Sequence, residues 1–72
     1  MAIEKVTLPV ARKIANLTQK GLADALDVSE STVINWEKGR SEPTVNQALA
    51  ISALTGIPLD CIIFLPPNTV KP

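Results

Sequence analysis

Apolar positions recur along the chain at intervals of three and four, and no stretch alternates with period two over a useful length, so the pattern predicts helices throughout. The first is "PVARKIAN". Pro9 sits in its opening turn, Val10 and Ile14 share one stripe, and Asn16 ends it, because asparagine tolerates the left-handed conformation of a C-cap. Thr18 is placed to cap a second helix, Gln19 to about Leu26, with Leu22, Ala23 and Leu26 facing inward. Gly21 inside that helix costs about 1 kcal/mol relative to alanine. Ser29 is placed to cap a third helix through about Lys38, with Val33 and Trp36 as its buried pair and Gly39 as its stop. "RSEP" is a loop. Thr44 caps a fourth helix, roughly Val45 to Thr55, in which Val45, Ala48 and Ile51 or Ser52 face the core, and Gly56 ends it. "IPLDCIIF" predicts a short fifth helix starting near Pro58 or Leu59. The prolines of "LPPNTVKP" exclude helix and leave an extended or frayed tail. The expected architecture is an all-α bundle of five short helices, one domain over residues 1–65, followed by a Pro-rich tail over 66–72.

Composition narrows the function. With 72 residues, 46% of them apolar and 19% charged, the chain should fold as one small domain near the lower size limit for a core without staples. It has one cysteine, Cys61, and no histidine, which excludes an internal disulfide and a four-ligand zinc site and suits a reducing cytoplasm. The N-terminus lacks the apolar run of a signal peptide, and no stretch is long enough to cross a membrane. An enzyme is not expected. There is no Gly-rich phosphate loop and no evident pair of carboxylates, and Cys61, read as a half-buried thiol, has no histidine to activate it. No cofactor or metal is called for.

The informative part is "TQKGLADALDVSESTVINWEKGRSEP". Ala23, Val28 and Val33 put a small residue, a turn and an apolar knob at the offsets of a helix-turn-helix. Asp27 stands where the chain reverses, and aspartate accepts positive φ better than most residues.

From about Arg12 to Ile62 the chain resembles the Cro/CI-type helix-turn-helix domains of bacterial and phage regulators. The marks are Arg12 seven residues before Gln19, "LTQ" opening the second helix, "LA" at Leu22 and Ala23, "VS" at the turn, "WEKGR" closing the third helix, Pro43, and "GIPLD" after the fourth. Each is weak alone, but their joint spacing is specific. The resemblance implies a DNA-binding fold in a bacterial cytoplasm and assigns roles by position. Arg12, Gln19, Lys38 and Arg40 match phosphate-holding positions. Glu30, Ser31, Thr32, Ile34 and Asn35 match positions that face bases or a partner. Asn35 suits adenine, Glu30 suits the amino group of cytosine, Ser31 or Thr32 suits either base type, and Ile34 offers only an apolar contact such as a thymine methyl. Thr18 and Ser29 read as plain caps, Glu37 as structural and paired to Arg12, and Trp36 as core.

Three features depart from the family pattern. Net charge is zero, and between Thr18 and Glu42 three cations face five carboxylates. Phosphate neutralisation supplies most non-specific DNA affinity, so this balance implies weak binding with a shallow salt dependence. An isoleucine, Ile34, projects from the reading face. The fourth helix carries no charge, which leaves Leu49, Ala50, Ala53 and Leu54 partly outside, and Ile62, Ile63, Phe64 and Leu65 add more apolar surface than one short helix buries. That surplus is either core filler under a folded-back tail or an interface. An interface is the preferred expectation, through Leu49, Leu54, Ile62, Ile63, Phe64 and Leu65.

Two roles follow from the resemblance. One is a Cro-like regulator of the lysis–lysogeny type that binds double-stranded operator DNA as a homodimer. Its last helices or tail would supply the dimer contact, since a chain this short leaves no room for a second domain. The other is an antirepressor, a modulator of repression, which covers or alters the DNA-reading surface of a cognate CI-type repressor. An antitoxin is a further member of the binding class, but the tail is short for a toxin-binding extension.

Overall fold

Hydroxyl side chains start three of the four helices. Thr18 Oγ1 accepts from the Gly21 amide at 2.8 Å, Ser29 Oγ from the Thr32 amide at 3.2 Å, and Thr44 Oγ1 from the Gln47 amide at 3.1 Å. Gln47 returns the bond, its Oε1 accepting from the Thr44 amide at 2.8 Å, which completes a capping box. Left-handed residues reverse the chain after each helix: Asn16 (φ 60°), Asp27 (φ 59°), Gly39 (φ 76°) and Gly56 (φ 76°). The resulting order, in a computed structural model that describes residues 4–64, is β1 (Val6–Thr7), α1 (Leu8–Ile14), α2 (Gln19–Leu26), α3 (Glu30–Glu37), α4 (Val45–Thr55), a 3-10 turn (Leu59–Cys61) and β2 (Ile62–Ile63). The Pro-rich tail over 66–72 and Leu65 lie outside the described residues.

The fold is mostly helical, but with four α-helices among the described residues instead of the expected five. "IPLDCIIF" makes only the 3-10 turn and then extends. Ile62 and Ile63 pair in parallel with Val6 and Thr7, closing a two-stranded sheet between the ends of the described chain. β-Branched Ile62 and Ile63 favour the extended form, and only Ile62 turns inward while Ile63 faces out. A strand of two residues gives no periodicity to read.

One core serves every element. Leu8 and Ala11 of α1, Leu22 and Ala23 of α2, Val33 and Trp36 of α3, Ile51 of α4 and Ile62 of β2 form a single buried cluster. Leu26 and Val28 are half-buried against it. Two expected core faces are corrected. On α1, Val10 and Ile14 are 44% and 56% exposed, because the helix begins at Leu8 and turns Leu8, Ala11 and Arg12 inward instead. On α4, Val45 is 74% exposed in the first turn, while Ile51 and the hydroxyl residue Thr55 are buried. Thr55 is satisfied locally, its Oγ1 donating to the Ile51 carbonyl at 2.8 Å. Cys61, expected half-buried, is fully buried.

Asp27 provides a direct test of the turn. A β-branched residue cannot hold its left-handed backbone without strain of about 1–2 kcal/mol. Asp27→Val should therefore lower the unfolding free energy by about that amount in urea titration, whereas Asp27→Gly should leave it unchanged or raise it.

Candidate nucleic-acid interface

Helices α2 and α3 pack against each other more extensively than any other pair, joined by the turn Asp27–Val28–Ser29. Ala23 is 1% exposed and Leu22 and Val33 are fully enclosed, so the inner faces of both helices are fixed. The Val28 amide donates to the Ala23 carbonyl at 3.0 Å, locking the turn onto the end of α2. The opposite face of α3 is thereby turned outward.

That face is uneven. Glu30 and Ser31, at the start of α3, are exposed, whereas Thr32, Ile34 and Asn35 are half-buried. The Thr32 hydroxyl lies 2.9 Å from Ser29 Oγ and shares in the cap. Ile34 is thus less prominent than its place on the outer face suggested. Lys38 and Arg40 are exposed just beyond α3, and the Arg40 amide donates to the Asn35 carbonyl at 2.9 Å, curling the "GR" loop back onto the helix.

Beneath this surface lies a polar network. Arg12 Nε donates to Glu37 Oε2 at 2.7 Å, the two side chains being only 11% and 8% exposed. Its Nη1 donates to the Leu17 carbonyl at 2.9 Å, and Nη2 reaches Glu37 Oε1 at 3.4 Å. Gln19 Nε2 donates to the same Oε1 at 2.9 Å. The pairing of Arg12 with Glu37 was readable from the sequence. The shared hold on Gln19 and on the Leu17 carbonyl was missed, because these are tertiary contacts with no spacing signature. Arg12 points its donors inward and is 9% exposed, so the position matched to a phosphate contact serves here first as an internal brace for the start of α2.

Charge on the surface follows from the network. Of the five carboxylates between Thr18 and Glu42, Glu37 is neutralised internally by Arg12, and Asp24, Asp27, Glu30 and Glu42 remain exposed beside the exposed Lys20, Lys38 and Arg40. The Lys20–Asp24 pair, 3.6 Å apart and mostly solvated, contributes little.

Apolar side chains are exposed elsewhere on the domain. Leu49, Leu54 and Ile63 are 50%, 42% and 41% exposed, and a shallow groove of about 270 Å³ opens between Pro43, Val45, Ala48, Leu59 and Phe64. Of the expected interface residues, Ile62 is instead core, at 6% exposure, and Phe64 is half-buried against that core. No helix among the described residues is long and apolar enough to cross a membrane.

This fold and turn are those of a helix-turn-helix domain, and the helix-turn-helix family model matches residues 10–60. The chain belongs to this Cro/CI-type family and carries its DNA-binding domain. It is similar to the HTH-type transcriptional regulator MJ0272 of Methanocaldococcus jannaschii, 38% identical over 58 residues that cover 81% of this chain and 88% of that protein. It is also similar to the HTH-type transcriptional regulator DicA of Escherichia coli, 46% identical over 41 residues, covering 57% of this chain but only 30% of DicA.

The buried network predicts an asymmetry. Removing one partner leaves a desolvated charge, so Glu37→Ala should cost about 3–5 kcal/mol of stability. Replacing both, as Arg12→Met with Glu37→Leu, should cost clearly less. Chemical denaturation of the single and double variants measures the difference, and equal losses would mean the pair is not buried in solution.

Proposed function

We propose that the protein is a transcription regulator that binds a pseudo-palindromic operator in double-stranded DNA as a homodimer, with one α3 in the major groove of each half-site. The observation that carries this reading is the exposed start of α3, Glu30 and Ser31, held outward by the buried Val33 and Trp36 of the same helix. The names of both relatives support it. Ile34 and Asn35 lie further along the same helix, where a base edge or thymine methyl would meet them. Lys38, Arg40 and the start of α2 at Gln19 are the phosphate contacts, with Glu37, itself held by Arg12, bracing the Gln19 side chain from behind. The contact between protomers draws on apolar side chains left exposed on α4 and near the end of the described chain, among them Leu49, Leu54 and Ile63. Half-site centres then lie about 34 Å apart on one face of the duplex. The role is Cro-like, in a switch of the lysis–lysogeny type, and the working unit is one domain over residues 1–65.

One observation favours a second role. Four exposed carboxylates against three exposed cations make the exposed surface of the segment between Thr18 and Glu42 slightly acidic, whereas DNA calls for the reverse. Such a face, with half-buried Ile34 within it, complements the basic reading surface of a CI-type repressor, as an antirepressor would. Mobility shifts separate the two. A shift of selected operator DNA by this protein alone supports the regulator. A change in a CI-type repressor's shift, with no shift by this protein alone, supports the antirepressor. Within the regulator reading, Arg40→Ala should weaken binding to all sequences alike and flatten the plot of log K against log salt by about one unit. An unchanged slope removes Arg40 from the phosphate contacts.

A further inference from the structure

α3 carries two charged residues, and the network hides one of them. Glu37 is bonded internally to Arg12 and Gln19, so Glu30 is the only charge that α3 presents outward. Among the described residues no cation pairs with it. Along Glu30–Glu37 there is also no arginine or lysine, the side chains that most often read guanine.

We infer that Glu30 is a specificity-determining residue of the DNA-reading face and selects a C·G pair, cytosine toward the protein, beneath the first turn of α3. This inference rests on the operator-binding reading above. An ionised carboxylate only accepts hydrogen bonds. Guanine offers N7 and O6 acceptors in the major groove and thymine offers an O4 acceptor, so both repel it. Adenine places its N6 donor beside the N7 acceptor, which sets one favourable contact against one unfavourable. Cytosine offers the N4 amino group with its own C5–H on the outer side, so the one neighbouring acceptor is O6 of the paired guanine, whereas the adenine N6 donor lies between N7 and the thymine O4. The same charge repels the phosphates on either side of the groove, so it lowers affinity for every sequence that cannot return that hydrogen bond. Glu30 thus acts by exclusion as well as by contact. This gives an overall neutral chain a means of discrimination that does not depend on a strong basic field. Ile34 lies one turn further along the helix and Ser31 is adjacent, so the contacts beside Glu30 are apolar or ambivalent and the choice beneath the first turn falls to Glu30, while Asn35, half-buried further along the helix, offers adenine a separate contact.

The test is selection of DNA from a randomised duplex library by the wild type, Glu30→Gln and Glu30→Ala, followed by affinity measurements on the selected sites. The expected wild-type site has one invariant cytosine per half-site, and changing it lowers affinity by about 5- to 150-fold. Glu30→Gln, whose amide both donates and accepts, should move that preference to adenine. Glu30→Ala should abolish it while tightening binding to unselected DNA. Thermal melting of both variants verifies folding, because Glu30 in the first turn also favours the helix dipole and a merely structural role would change melting without changing base preference. A wild-type site whose preferences persist unchanged in both variants overturns the inference alone. Failure of the wild type to enrich any sequence overturns both the inference and the operator reading.

Discussion

Two opposite charges enclosed beneath the surface set the arrangement of the three N-terminal helices. Arg12 comes from α1 and Glu37 from the last turn of α3, and desolvation makes either one costly without the other. Both ends are filled. The guanidinium also holds the Leu17 carbonyl, and the carboxylate also accepts from the Gln19 side-chain Nε2. Leu17 and Gln19 flank Thr18, the cap of α2, so the start of α2 is tied to the far end of α3. The turn at Asp27–Ser29 fixes the two helices at one end and the network fixes them at the other. A buried pair of this kind adds little net stability over an apolar equivalent, while loss of one member alone is costly. It holds the outward face of α3 at a set angle to the start of α2, the two surfaces a duplex would meet together.

The apolar core complements this constraint. Eight buried residues drawn from all four helices and β2 form one cluster, with nothing larger than Trp36 in it. A core this small tolerates no free end. Pairing of Val6–Thr7 with Ile62–Ile63 closes the domain by bringing the two extremes of the described chain together, and it places Ile62 over the same cluster that Leu8 enters from the other side. The long-range contact most dependent on chain closure is thus made by the shortest elements.

Most of the helical frame was legible in the sequence because its signals are local. Thr18, Ser29 and Thr44 announce helix starts, and Asn16, Asp27, Gly39 and Gly56 announce reversals, each through chemistry acting within four residues. Val33 and Trp36 were legible as core because α3 is amphipathic enough to show one inner pair. The faces of α1 and α4 were misjudged for different reasons. On α1 the expected helix began at Pro9 and left out Leu8, whose burial turns Ala11 and Arg12 inward and leaves Ile14 in solvent. α4 is uncharged, with apolar residues on every side, so periodicity does not say which stripe faces inward, and packing buries Ile51 while leaving Val45 exposed. Strand β2 was missed because a two-residue pairing is decided by its distant partner. In the candidate site, the identity of the outward residues was legible, but their prominence was not. Ile34 and Asn35 sit deeper than Glu30 and Ser31, and the Ser29–Thr32 hydroxyl contact draws Thr32 into the cap.

The uneven exposure of α3 bears on what a neutral chain can do with DNA. Its cations, Lys38 and Arg40, lie past the end of the helix, and Lys20 leans toward Asp24. Electrostatic attraction is therefore applied at the margins of the reading face and is absent from its middle. Affinity from phosphates grows with each cation engaged, while discrimination comes from groups at the base edges. With few cations to engage phosphates, such a face would draw a larger share of its binding free energy from base contacts, while the ratio between right and wrong sites would still be set by those contacts alone. The uncharged outer face of α4 works in the same direction. If Leu49 and Leu54 are covered by a second protomer, two weak half-site contacts are joined, and the linkage supplies affinity that the charge balance of one domain does not.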